Sequence, residues 1–180
     1  MKNKEQIHIE YLKLLEPIND SLYIYAYSLT KNKLDAEDLI SEVILKTYEK
    51  FRKNSKIENF KAYSFIVLRN IFFKKKFLNK YFTKMDNIIF DKLQSNDYNP
   101  EINAEISILY KALLNLEEKH REAVILFEIV GFSIKEICKI QKSSESAVKS
   151  RIKRGREKLK ELLFGNEIHT KIKDSSKILE

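Results

Sequence analysis

Residues 132–160 read FSIKEICKIQKSSESAVKSRIKRGREKLK, and their spacing predicts two short helices joined by a turn. Ser133 and Glu136 have the spacing of a capping box, in which the hydroxyl takes a backbone N–H and the carboxylate reaches back. Ile134, Ile137, Cys138 and Ile140 then repeat at helical intervals and give the first helix one apolar face. Gln141 to Ser143 break the pattern, and Ser143 or Ser144 can cap a second helix. That helix would bury Val148, Ile152, Gly155, Leu159 and Leu162. It would present Glu145, Ser146, Lys149, Ser150, Lys153 and Arg154, with Ser144 at its start. A helix apolar behind and dense in hydroxyls and cations in front suits the DNA major groove, where residues near its N-terminus meet base edges. A basic helix that is merely solvated would carry the same charges. Here, however, cap, turn and both apolar stripes agree in register.

The composition supports an all-α protein. Gly (3) and Pro (2) are scarce in 180 residues, and 43% of the chain is hydrophobic, enough for a folded core. The net charge of +8 and pI near 9.3 point to a polyanionic partner, most simply nucleic acid. Cys138 is the only cysteine, which excludes an internal disulfide and fits a reducing compartment. His8, His120 and His169 are far apart and lack ligand spacing, so no metal or other cofactor is expected. No apolar run approaches the roughly 18 residues that span a bilayer, and MKNKEQIHIE lacks a signal-peptide core. A cytoplasmic protein without membrane insertion is expected. An enzyme is not, because there is no nucleophile–base pair, glycine-rich phosphate loop or metal cluster.

Working outward, residues 1–30 read as helix with a break near Pro17, and Leu12, Leu15, Ile18, Leu22, Tyr25, Ala26 and Leu29 form a core stripe. A further helix should begin with Asp35 as its cap, where Glu37 and Asp38 suit the positive end of the helix dipole. Ala36, Leu39, Ile40, Val43, Ile44, Thr47 and Phe51 face one way. Asp35, Asp38, Glu42 and Glu49 face the other, with Leu45 among them. An acidic face holding a leucine suits docking onto a basic protein surface; a solvated face with one stray leucine is the alternative.

Residues 59–82 are the most aromatic segment, and no acid occurs between Lys61 and Asp86. Tyr63, Val67, Asn70 and Lys74 share one face, followed by Lys75 and Lys76. Rings interleaved with cations are what single-stranded DNA requires, for stacking and for phosphates. Phe65, Phe72, Phe73 and Phe77 read as core instead. Residues 84–100 lose periodicity and end at Pro100, which marks a flexible linker. The expected organisation is therefore a helical domain over 1–83, a linker over 84–100, a helix-turn-helix domain over 101–164 and a polar, frayed tail over 165–180. Ile106, Leu109, Tyr110, Leu113 and Leu114 form one stripe of the second domain, and Gly131 can end the helix that carries Ala123 to Val130.

Two stretches resemble a known family. Residues 35–51, DAEDLISEVILKTYEKF, resemble the second-region core helix of RNA polymerase sigma factors, and residues 112–163 resemble their fourth region. Their order and short linker are similar to the extracytoplasmic-function (ECF) group of the sigma-70 family. The resemblance implies a region-2 helical bundle and a region-4 helix-turn-helix. It also implies a subunit that binds core RNA polymerase, recognises promoter DNA, melts it and starts transcription. Asp35, Asp38, Glu42 and Leu45 would clasp the clamp helices of the largest polymerase subunit. Tyr63, Val67, Asn70, Lys74 and Lys75 would meet the minus-ten element, with loop 52–58 near the flipped base. Capturing that base offsets part of the few kcal/mol of unstacking. The helix from Ser144 would read the minus-35 element, and an anti-sigma factor is a further implied partner. Tyr63 stands where the family often has tryptophan, Ile66 where arginine is frequent, and Glu117 where proline is usual. Ile140-Gln141-Lys142 lacks the usual Leu-Gly of the turn. The competing reading is a stand-alone helix-turn-helix regulator on duplex operator DNA, which would leave the acidic face and the aromatic segment unused.

Overall fold

The computed structural model describes residues 4–53, 57–82 and 104–176, and every regular element among them is helical. The chain forms two compact units. The linker expected over 84–100 lies outside the described residues.

The first unit contains α1 (Lys4–Leu15), a 3-10 turn (Glu16–Ile18), α2 (Asn19–Thr30), α3 (Lys33–Arg52) and α4 (Phe60–Phe82). Its core joins Leu22, Tyr25, Ala26 and Leu29 to Ala36, Leu39 and Val43, and both to Phe65, Leu68 and Ile71. From α1 it is Tyr11, not the expected Leu12, that enters this core; Leu12 is exposed. The 3-10 turn at Pro17 has fewer residues per turn than an α-helix, so the phase of α2 cannot be carried back into α1. The Tyr11 hydroxyl donates to the Ile44 carbonyl (2.9 Å) and lies 2.8 Å from Thr47 Oγ1, which ties α1 to α3.

Helix α3 starts two residues before the expected cap. Asn32, not Asp35, is the cap: its Oδ1 accepts the Asp35 N–H at 3.1 Å. Asn59 caps α4 in the same way, taking the Ala62 N–H at 2.8 Å. Helix α4, with 23 residues, packs mainly on the 20-residue α3 and less on the 12-residue α2, so its cover thins toward its last turns. The aromatics assigned to core follow that gradient. Phe65 is fully buried, Phe72 and Phe73 are half-buried, and Phe77 is 59% exposed.

The described residues 104–176 contain α5 (Ala104–Leu114), α6 (Glu118–Val124), a π-helical turn (Ile125–Ile129), α7 (Ile134–Gln141) and α8 (Glu145–Ser176). The Arg121 guanidinium is buried and donates to the Leu114 and Leu116 carbonyls (3.2 and 2.9 Å), closing the end of α5. Gly131 ends the π turn at φ +77°, a backbone that favours glycine. The capping box at the start of α7 is present: Ser133 N–H and Oγ–H donate to Glu136 Oε2 (2.9 and 2.7 Å), and Glu136 N–H returns to Ser133 Oγ (3.3 Å). At the other end, Ser143 N–H bonds the Cys138 carbonyl at 3.0 Å across a left-handed Lys142 (φ 50°). That is a Schellman closure.

Val148, Ile152 and Gly155 of α8 are buried and Leu159 is half-buried as expected, but Leu162 is exposed. Helix α8 outlasts the short α6 it lies on, so its stripe loses cover. It continues to Ser176, through most of the stretch that polarity marked as a frayed tail.

Candidate docking face and nucleic-acid interface

Because α3 begins at Lys33, Leu34 joins the helical face that the sequence pattern began at Asp35. Leu34, Asp38 and Leu45 are spaced by four and seven residues and share one side, flanked by Asp35 and Glu42. Leu34 is 68% and Leu45 57% exposed, so the acidic face is bracketed by two leucines, not interrupted by one. Asp35 and Asp38 are exposed and Glu42 is half-buried. Beside this face, α2 and α3 enclose a groove of about 410 Å³ lined by Asn19, Asp20, Tyr23, Glu37, Ile40 and Ser41. Burial, and then the Glu37 carboxylate, push the Tyr23 phenol above its usual range. The sequence pattern did not single out this groove, since its walls come from two helices.

Glu42 is the best-connected acid of the face. Its Oε1 accepts from Lys46 at 3.0 Å, and its Oε2 from Lys75 of α4 at 2.7 Å. The bonds to Lys75 and then Lys46 hold its carboxyl below the usual glutamate value, against a small opposing effect of burial.

On α4, Tyr63 and Val67 are half-buried, and Asn70 and Lys74 are exposed, along the one side their spacing predicts. Lys75 is not on that side. It follows the buried Leu68 and Ile71 by seven and four residues, so it continues the stripe that faces α3. A separate cluster occupies the next side, with the Arg69 guanidinium 4.5 Å from the Phe73 ring centroid and the Lys76 ammonium 5.7 and 5.8 Å from Phe72 and Phe73. Of loop 52–58, residues 54–56 lie outside the described residues.

On α8, Ser144, Glu145, Ser146, Lys149, Ser150, Lys153 and Arg154 are all exposed. Ser144 caps the helix, its Oγ accepting the Ala147 N–H at 3.3 Å. Several cations of this helix are paired with acids along it. Lys149 meets Glu145 (3.7 Å), Lys153 meets Glu157 (4.0 Å) and Lys158 meets Glu161 (2.9 Å). Arg156 pairs with Glu128 of the π turn and lies over the Phe127 ring, so its guanidinium is engaged with that turn. Exposed pairs within one helix are weak enough for phosphates to replace. Among the described residues, no three His, Cys, Asp or Glu side chains could hold a metal ion, and no helix is long and apolar enough to cross a membrane.

Residues 14–75 match the family Sigma-70 region 2, and residues 106–159 match Sigma-70, region 4. The ECF RNA polymerase sigma factor SigM of Bacillus subtilis is 32% identical over 150 residues, 81% of this chain and 89% of that protein. The chain belongs to the ECF group of the sigma-70 family. The ECF RNA polymerase sigma factor EcfG of Rhodopseudomonas palustris is 28% identical over 144 residues, 80% of each chain. Among solved structures, the sigma factor RpoE of Bartonella quintana, in complex with the anti-sigma factor NepR, superposes with a TM-score of 0.74 at 28% identity. The match covers 86% of this chain and 96% of that one. CnrH, in complex with the cytosolic domain of CnrY, shares the fold at 20% identity and a TM-score of 0.60, over 86% of this chain and 88% of that one.

Two positions that depart from the family pattern have a backbone compatible with the residue usual there. Glu117 has φ −55° and ψ 140° ahead of α6, which a proline could adopt. Lys142 takes the left-handed geometry that glycine usually fills.

Proposed function

We propose that this sigma factor docks on core RNA polymerase through the Leu34–Leu45 face of α3, directs the holoenzyme to promoters and opens them. Asp35, Asp38 and Glu42 supply charge, and Leu34 and Leu45 supply apolar contact, for the basic clamp helices of the largest polymerase subunit. Tyr63, Val67, Asn70 and Lys74 meet the minus-ten strand, where a ring stacks on a base and an ammonium holds a phosphate. Ser144, Glu145, Ser146, Lys149, Ser150, Lys153 and Arg154 enter the major groove at the minus-35 element. The protein works in the cytoplasm, performs no chemistry of its own, and is a candidate for capture by an anti-sigma partner.

The observation that carries this reading is that one chain holds two matched sigma regions, with the proposed docking and DNA-facing residues exposed or half-buried along the sides of their helices. A stand-alone regulator would need only the second unit and would give the α3 face no partner.

In-vitro transcription with core polymerase on a pool of genomic fragments tests the function. Discrete start sites that depend on this protein are expected. Tight duplex binding by residues 101–164, unaffected by polymerase, would favour the regulator instead. Charge reversal at Asp38 together with Glu42 should abolish core binding in a pull-down while leaving the helical signal intact. Unchanged capture would remove α3 from the docking role.

A further inference from the structure

The family resemblance implies a minus-ten role for Lys75, but the fold gives it a different neighbour. Its ammonium lies 2.7 Å from Glu42 Oε2, on the α3 side of α4, while Lys46 holds the other carboxylate oxygen at 3.0 Å. The pair is solvent-accessible, at 52% for the Lys75 side chain and 32% for Glu42, so it contributes little to fold stability. Its consequence is electrostatic. Glu42 between two lysines forms a local cluster of net charge +1, within a face otherwise made acidic by Asp35 and Asp38. A cationic surface approaching Glu42 therefore meets an ammonium already in the place it would take.

We propose that Lys75 belongs to the docking face, as an internal counter-cation that a basic group of the polymerase must displace from Glu42. This deepens the docking reading and rests on it. Docking then exchanges one ion pair for another. The carboxylate passes from a cis lysine to a trans partner, and the Lys75 ammonium is released at the edge of the helix that carries the minus-ten side chains. Core binding is thereby held weaker than the acidic face alone would make it. Positive charge beside the promoter strand is raised only once polymerase has bound. Lys75 acts through Glu42, as an affinity-setting residue and not as a DNA contact in the free protein.

The test measures affinity of the full-length protein for core polymerase. Lys75→Gln should tighten binding about two- to fivefold, the span expected for loss of a competing exposed pair. Lys75→Arg should restore wild-type affinity. In a Glu42→Gln background, Lys75→Gln should give no gain, because nothing is left to unmask. Weaker or unchanged core binding in Lys75→Gln overturns the proposal. So does a promoter-binding salt slope reduced by about one in Lys75→Gln holoenzyme with unaltered core affinity, the mark of a phosphate contact. Asp38→Lys separates the two ideas. If it abolishes core binding while Lys75→Gln gives no gain, only the exchange fails. If it leaves core binding unchanged, the docking reading fails and the exchange with it.

Discussion

Gly155 of α8 sits against Val124 of α6 so closely that a Cβ on the glycine would lie 2.5 Å from Val124 Cγ2 and 3.4 Å from the His120 carbonyl. Helix α8 is thus seated on α6 through the absence of one side chain. A glycine inside a helix costs about 1 kcal/mol against alanine, and here that cost permits the contact. Gly155→Ala should therefore destabilise despite its better propensity, by about 1–2 kcal/mol net, since overpacking outweighs the gain. Val124 is β-branched and buried, so its side chain has little freedom to move aside. Thermal unfolding of Gly155→Ala, Val124→Ala and the double variant checks this. The double variant should lose less than the sum of the singles, and strict additivity would mean the two residues do not collide.

Lys142 offers the opposite trade. It closes α7 at φ 50°, where a side chain is strained and glycine is not. Lys142→Gly should stabilise by about 0.5–1 kcal/mol, after allowing for the greater freedom of glycine in the unfolded chain. Urea denaturation would register a higher midpoint at the same slope. A lower midpoint would mean that the lysine side chain, not its backbone, holds the turn.

Glu42 sets a pH dependence whose sign is fixed. Its carboxyl is held below the ordinary glutamate value by Lys75 and Lys46, so the folded state favours the charged form. The stabilisation is fully present above the unfolded value, about 4.3, and fades as pH falls through the depressed folded value. The unfolding midpoints of wild type and Glu42→Gln should therefore differ by a constant amount at neutral pH and converge on acidification. Solvent exposure keeps the gap small. A gap that widens below pH of about 4 would reverse the assignment.

Lys153 is 78% exposed at its side chain and only loosely held by Glu157. If it faces a phosphate, Lys153→Ala should weaken promoter binding across sequences and reduce the slope of log affinity against log salt by about one. A slope equal to wild type would place Lys153 away from the DNA backbone.

What could be read from the sequence was local. The Ser133–Glu136 box, the Ser144 cap and the packed Gly155 each follow from a few neighbouring residues, and each is present. The acidic side of α3 was legible for the same reason, since charge alternates with the buried positions Leu39 and Val43 at helical spacing. Leu34 was missed because Asn32 and Asp35 are both good caps, and only the fold chooses between them. Tyr11 was missed because a 3-10 turn re-phases the chain. Phe77 was placed in the core because periodicity reports which way a residue points, not how far the neighbouring helix extends. Lys75 pairs with Glu42 across two helices, and the groove beside Tyr23 is likewise made by two, so neither leaves a signature in one segment.

The π turn at Ile125–Ile129 acts as a rotational spacer. Val130 N–H reaches the Ile125 carbonyl at 3.0 Å and Phe132 N–H the Leu126 carbonyl at 2.9 Å, so the turn accommodates one residue more than an α-helical path would. Excising a single residue there would swing everything that follows by about 100° around the α6 axis. The glycine of α8 would then miss its valine, and the exposed face from Ser144 to Arg154 would aim elsewhere. The bearing of α8 is set in a stretch outside the helix itself.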